Sequence, residues 1–173
     1  CMTFFSDGIV AHVSFGQPVC LELLDIIWGA AEALKLNVHK GGTYLNMEGP
    51  AFSTKAESHL YRSWGMDIIG MTTSPEAFLA REAEMCYACM AHVTDYDVWH
   101  VSEEPVSVEM VIRTLNANTQ LAQKSISLLI KALHAETTCT CATALENTIM
   151  TNAGRIPAET RQKLDLLVGK YLK

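Results

Sequence analysis

The sequence predicts an α/β fold, with helices packed on both faces of a central sheet. Three observations predict it. Short β-rich runs alternate with segments of helical period, strand then helix, four times along the chain. Residues 85–93 are apolar without alternation, as a strand covered on both faces is. Hydrophobic residues make up 49% and charged residues 18% of the 173, which fits a packed interior and not a disordered chain.

Each element follows from local chemistry. Residues 9–14 have strand composition. Pro18 opens a helix to about residue 36, with Leu21, Leu24, Ile27, Ala31 and Leu34 on one face. A strand over 38–47, interrupted at Gly41 and Gly42, is broken by Glu48-Gly49-Pro50. Thr54 with Glu57 is a capping-box pattern and starts a helix over 54–64, which Gly65 ends. A short buried strand at 67–71 leads through Thr72-Thr73 to Ser74-Pro75-Glu76. These read as N-cap, first helical residue and acidic first turn of a helix to about 84. The apolar run 85–93 ends in Thr94-Asp95-Tyr96-Asp97, and a polar loop holds Glu103-Glu104-Pro105. Ser107 caps a long helix to about 135, with Val108, Val111, Ile112, Leu115, Ile126, Leu129 and Leu133 on one stripe. Helices over 142–151 and 157–171 close the chain. Without repeat, low-complexity stretch or linker, residues 1–173 read as a single domain.

Thirteen basic residues against 19 acidic ones give a net charge of -6 without a basic cluster, which argues against nucleic-acid binding. No apolar run has membrane-spanning length, and the start lacks a secretory signal. A cytoplasmic location is expected. A chain opening on Cys1 and running straight into aromatic residues reads as a piece of a longer protein. The cysteines read as reduced thiols. The Cys86-x-x-Cys89 pair, inside an apolar run, is expected to pack in the core. Cys139-x-Cys141 is read as free thiols or as a tight local disulfide.

In open α/β sheets, ligands bind beyond the carboxyl ends of strands. Three such ends carry polar residues: Asn46-Met47-Glu48-Gly49-Pro50, Met71-Thr72-Thr73 and Thr94-Asp95-Tyr96-Asp97. Asp95 and Asp97 fall on one side of an extended chain. Two carboxylates held close push one pKa up, which suits proton donation to a leaving group. A solvated acidic turn or a helix cap explains them equally. Thr72 and Thr73 suit an anion or a hydroxyl, or a turn. Phe52 suits stacking on a ring, or packing. His12, on an apolar strand, reads by default as a hydrogen-bonded core or interface histidine. The six histidines have no metal-ligand spacing, and no phosphate-cradling glycine loop or nucleophile elbow is present. No metal or organic cofactor is expected.

Longer motifs narrow the reading. Residues 42–54, Gly-Thr-Tyr-Leu-Asn-Met-Glu-Gly-Pro-Ala-Phe-Ser-Thr, resemble the nucleoside phosphorylase signature around E-G-P-x-F-S. Ala56-Glu57-Ser58, Trp64-Gly65, Ile69-Gly70-Met71-Thr72, Pro75-Glu76-Ala77, 80–84, Thr94-Asp95-Tyr96-Asp97-x-Trp99 and Val106-Ser107-Val108 continue the resemblance in order. So do Thr3-Phe4-Phe5-x-Asp7-Gly8 and Gly169-Lys170-Tyr171. The chain resembles the methylthioadenosine-cleaving branch of the trimeric purine nucleoside phosphorylases.

The resemblance implies a mixed central sheet and phosphorolysis of S-methyl-5'-thioadenosine to adenine and 5-methylthioribose 1-phosphate, with inorganic phosphate as co-substrate. This is pentosyltransferase chemistry of purine and methionine salvage. It implies that Asp95 and Asp97 contact the purine as catalytic residues, beside Thr94. Phe52 and Ser53 then lie along the base, Met71 under the ribose, and Thr72 on phosphate. Val108 and Val111 form an apolar wall for the methylthio group. His12 reaches the neighbouring subunit's site in a homotrimer. Relatives acting on 6-oxopurines carry Asn in place of Asp95, so Asp95 favours adenine. The resemblance also places the family's phosphate loop, Arg-His phosphate pair and a strand-end Thr-Ala pair before the region covered. The isolated chain is therefore expected to be a poor catalyst. The alternatives are a purine nucleoside or methylthioinosine phosphorylase, or an inactive nucleoside-binding fragment.

Overall fold

Capping chemistry sets the helices close to where the sequence places them. The computed structural model describes residues 2–100, 107–133 and 136–172. The loop of Glu103, Glu104 and Pro105, and the expected helix end at Ala135, lie outside the described residues. Helix α1 spans Leu21–Ala33. Helix α2 spans Lys55–Ser63 and opens on a complete capping box. In it the Thr54 hydroxyl accepts from the Glu57 N–H at 3.3 Å, and the Glu57 carboxylate accepts from the Thr54 N–H at 2.7 Å. These bonds from Thr54 hold the exposed Glu57 carboxyl below its ordinary value.

Strands β1 (Tyr44–Asn46) and β2 (Ile68–Gly70) pair in parallel, with Leu45 opposite Ile69. Helix α3 spans Thr73–Glu82, but Ser74 is extended within it (φ -104°, ψ 130°). Regular helix therefore begins at Pro75, as the Ser-Pro-Glu pattern requires. Helix α4 spans Val108–Ala132, with the Ser107 hydroxyl accepting from the Met110 N–H at 3.2 Å. Its stripe is largely open: Val108, Ile112, Leu115, Ile126 and Leu133 are all exposed.

Two expected strands are corrected. Residues 9–14 make a single antiparallel bridge, Ala11 to Ile149, and 85–93 form no strand. A strand is defined by its neighbour rather than by its composition. Around 85–93 the backbone bond from the Cys20 N–H to the Tyr87 carbonyl, at 2.7 Å, does not extend into a ladder. Among the described residues the sheet therefore has two strands, not the larger mixed sheet expected.

The C-terminal helices are corrected too. Residues 142–151 are not a helix; a 3-10 turn at Cys141–Thr143 is followed by turns. Leu145 and Ile149 have helical spacing but different uses. Leu145 is fully buried, while Ile149 bridges Ala11. Asn147 takes a left-handed conformation (φ 60°), and the Thr148 hydroxyl bonds back to the Leu145 carbonyl at 2.9 Å. Such local bonds compete with a helical ladder. The last helix is broken at Leu164 into α5 (Ala158–Lys163) and α6 (Asp165–Val168), followed by a 3-10 turn at Gly169–Tyr171.

The chain divides into two compact units. The first joins Cys1–Leu24, Thr72–Cys89 and Glu136–Lys173; the second joins Asp25–Met71 and Met90–Ala135. The first unit holds a hydrophobic core of Phe5, Ile9, Leu145, Ile156, Leu164 and Val168. Glu84 ties its segments together. Its carboxylate accepts from the Leu145 N–H at 3.0 Å and the Tyr171 hydroxyl at 2.5 Å, and pairs with Lys170 at 2.5 Å. The second unit centres on β1 and β2, with Ser53 and Ser58 among its buried polar residues.

Candidate active site

Strand β1 delivers Asn46 and Met47 to an open cleft of about 520 Å³ in the second unit. Its lining continues through Glu48, Gly49, Ala51 and Phe52 and is closed by Thr54, Glu57 and Tyr61 of the α2 entrance. Phe52 is 84% exposed, so its ring face is available to a planar ligand. Ser53 is buried, with its hydroxyl 3.5 Å from the Met47 sulfur. Gly49 has φ +71°, and a Cβ there would stand 2.8 Å from the Met71 sulfur. Glycine is thus required both by the turn and by Met71 lying against it. Gly49→Ala lowers stability by about 2 kcal/mol, read as a reduced midpoint in thermal unfolding.

Helix α2 also anchors one member of the acidic pair, Asp97. Ser58 is 1% exposed, and its hydroxyl donates to Asp97 at 2.5 Å. The other Asp97 oxygen accepts from the Val98 N–H at 2.8 Å. Asp97 is therefore held by a buried donor. Asp95 accepts from its neighbour Thr94 at 2.5 Å and is exposed. The two carboxylates thus have different partners: one anchored by α2, one facing solvent. An aromatic group follows them. Tyr96 stacks on His100 with centroids 4.3 Å apart, and the Arg62 guanidinium lies 3.5 Å over the Trp99 ring. At the start of α4, Val108 is exposed and Val111 half-buried.

His12 and Thr72 belong to the first unit. His12 lines a cleft of about 270 Å³ with Phe15, Phe78, Arg81 and Glu82. Phe15 stacks on Phe78 at 3.9 Å. Thr72 precedes α3 and makes no side-chain capping bond there. The second unit therefore groups Phe52 with the cleft, Met71 with Gly49, Thr94 with Asp95, and Asp97 with Ser58. Ser58 and Arg62 had no role assigned from sequence. Only the Ala56-Glu57-Ser58 motif pointed at Ser58, because its partner lies 39 positions away.

The family model described as the phosphorylase superfamily matches residues 2–133. The chain belongs to the phosphorylase superfamily. Within it, the chain is 49% identical over 170 residues to S-methyl-5'-thioadenosine phosphorylase of Geobacter sulfurreducens, covering 98% of the chain and 59% of the relative. It also matches the crystal structure of a methylthioadenosine phosphorylase from an antarctic soil metagenomic library. The TM-score is 0.89 at 43% identity, covering 96% of this chain and 60% of that one. The methylthioadenosine phosphorylase of Schistosoma mansoni in complex with adenine matches with a TM-score of 0.74 at 28% identity, covering 82% and 57%. The chain thus spans about 60% of the length of these relatives and shares their fold over that span. Among its described residues, no helix is long and apolar enough to cross a membrane.

Proposed function

We propose that the protein carrying this chain catalyses phosphorolysis of S-methyl-5'-thioadenosine to adenine and 5-methylthioribose 1-phosphate. The observation that carries the proposal is 49% identity, along 98% of the chain, to an enzyme of that name. The cleft beside Phe52 and the anchored Asp97 support it.

Phosphate attacks the anomeric carbon as the glycosidic bond loosens. Positive charge develops on the ribose ring and negative charge on the departing adenine. Asp95 and Asp97 contact the leaving base at N7 and the 6-amino group. Thr94 steadies Asp95. Phe52 and Ser53 lie along the purine, Met71 lies under the ribose, and Thr72 binds phosphate. Val108 and Val111 receive the methylthio group, because an apolar wall strips water from a hydroxyl without replacing its hydrogen bonds. His12 completes the neighbouring site in a homotrimer.

The test is adenine release from S-methyl-5'-thioadenosine, with and without phosphate. It is run on this chain and on a form extended at its N-terminus to the length of its relatives. Phosphate-dependent release supports the proposal; no release by either form rejects it. Ser58→Ala leaves one Asp97 oxygen without its donor and lowers kcat/KM roughly tenfold, as loss of a hydrogen bond to a charged group does. Steady-state kinetics on the active form checks this, with circular dichroism to confirm that the fold is kept.

A further inference from the structure

Four cysteines from three separate stretches of the first unit converge. The sulfurs of Cys20, Cys86, Cys139 and Cys141 all lie within 4.8 Å of one another. Cys86 and Cys139 are 3.4 Å apart. The Cys86-x-x-Cys89 spacing is therefore not the operative pair, and the expectation that both pack in the core is corrected. Cys86 is exposed and joins the cluster, whereas Cys89 stands outside it.

We propose that these four cysteines form a tetrathiolate site for a soft, tetrahedral cation, zinc(II) in the first instance. Zinc–sulfur bonds of about 2.3 Å in a tetrahedron set sulfurs roughly 3.8 Å apart. The cluster already has that spacing within a small adjustment. A disulfide would join sulfurs in pairs at about 2.05 Å, so it does not call for a four-way approach. Thiolate ligands select zinc over the harder divalent ions.

The frame around the sulfurs is fixed by polar contacts. The Cys20 N–H donates to the Tyr87 carbonyl at 2.7 Å, joining the α1 entrance to the stretch carrying Cys86. Glu22 accepts from the Thr138 N–H at 2.9 Å, the Thr138 hydroxyl at 3.0 Å and the Cys139 N–H at 3.0 Å, so α1 also orders the Cys-x-Cys turn. Arg81 points one guanidinium nitrogen at the Cys141 sulfur, 3.9 Å away, and another at the Gln17 carbonyl. A cation there offsets part of the double negative charge of a zinc tetrathiolate. Cys20 and Cys141 are buried, which shields the site. Metal binding displaces the thiol protons of the four cysteines.

The test uses the full chain, purified under reducing, anaerobic conditions, loaded with zinc chloride and desalted. Elemental analysis is expected to find one zinc per chain, and removal by a chelator to lower the thermal midpoint. Cobalt(II) in place of zinc is expected to give the thiolate charge-transfer bands and intense visible bands of a tetrahedral sulfur site. Cys20→Ser and Cys139→Ser are expected to abolish stoichiometric zinc, while Cys89→Ser retains it. The cobalt spectrum of the unaltered chain decides the matter even where a serine variant fails to fold. Absence of retained zinc, a cobalt spectrum without thiolate bands, or mass spectrometry showing Cys86–Cys139 disulfide in the reduced preparation would overturn the proposal.

Discussion

Asp95→Asn lowers kcat/KM for S-methyl-5'-thioadenosine about 100- to 1,000-fold, the range for loss of a positioned catalytic carboxyl group. The same change raises relative activity on the 6-oxo analogue, methylthioinosine. A carboxylate accepts a hydrogen bond from the exocyclic 6-amino group, whereas an amide also donates to a 6-oxo oxygen. The two effects together separate a role at the base from general damage. Asp95 is exposed and accepts from its neighbour Thr94 at 2.5 Å, so its replacement does not disturb the core. Paired assays of adenine and hypoxanthine release are the check. An unchanged preference ratio would remove Asp95 from the base site.

Glu84→Ala destabilises the first unit by about 3 kcal/mol, the scale for stripping one partner from a buried, charge-assisted network. In a chain of this size that lowers the midpoint by about 10 °C. The Glu84 side chain is 9% exposed, and its loss strands the Leu145 N–H and the Tyr171 hydroxyl. Lys170 is 54% exposed, so Lys170→Met costs less, under about 1 kcal/mol. The pH dependence follows from the same contacts. Burial pushes the Glu84 carboxyl up, but the Lys170, Tyr171 and Leu145 hydrogen bonds outweigh it and hold the group below its ordinary 4.5. A depressed carboxyl stabilises the fold above 4.5 and loses that contribution as pH falls through the lower folded value. Thermal midpoints of the natural chain should therefore drop more steeply than those of Glu84→Ala as pH falls below 4.5.

Local chemistry was the legible part. Thr54 with Glu57, and Ser107, announce helix starts because the capping partner lies three residues away, and the structure makes those bonds. What depends on distant partners was not legible. The run 85–93 has strand composition, but pairing needs a neighbour that composition does not supply. Residues 142–151 have apolar spacing suited to a helix, yet Leu145 and Ile149 answer to different surroundings. Ser58 acquires meaning only through Asp97, and Glu84 only through Leu145 and Tyr171. The cysteine cluster is the extreme case, assembled from three stretches whose individual spacings point elsewhere.

The first unit is completed only by Glu136–Lys173, whereas the second draws on nothing beyond Ala135. During synthesis the second unit can close while the C-terminal stretch is still being made. The first cannot seal its interior until Leu145, Ile156, Leu164 and Val168 have emerged. Until then Phe5 and Ile9 lack the C-terminal side chains that cover them. A chain cut before Leu145 thus keeps the second unit but leaves the first without most of its interior, so it should be cleared by quality control rather than accumulate.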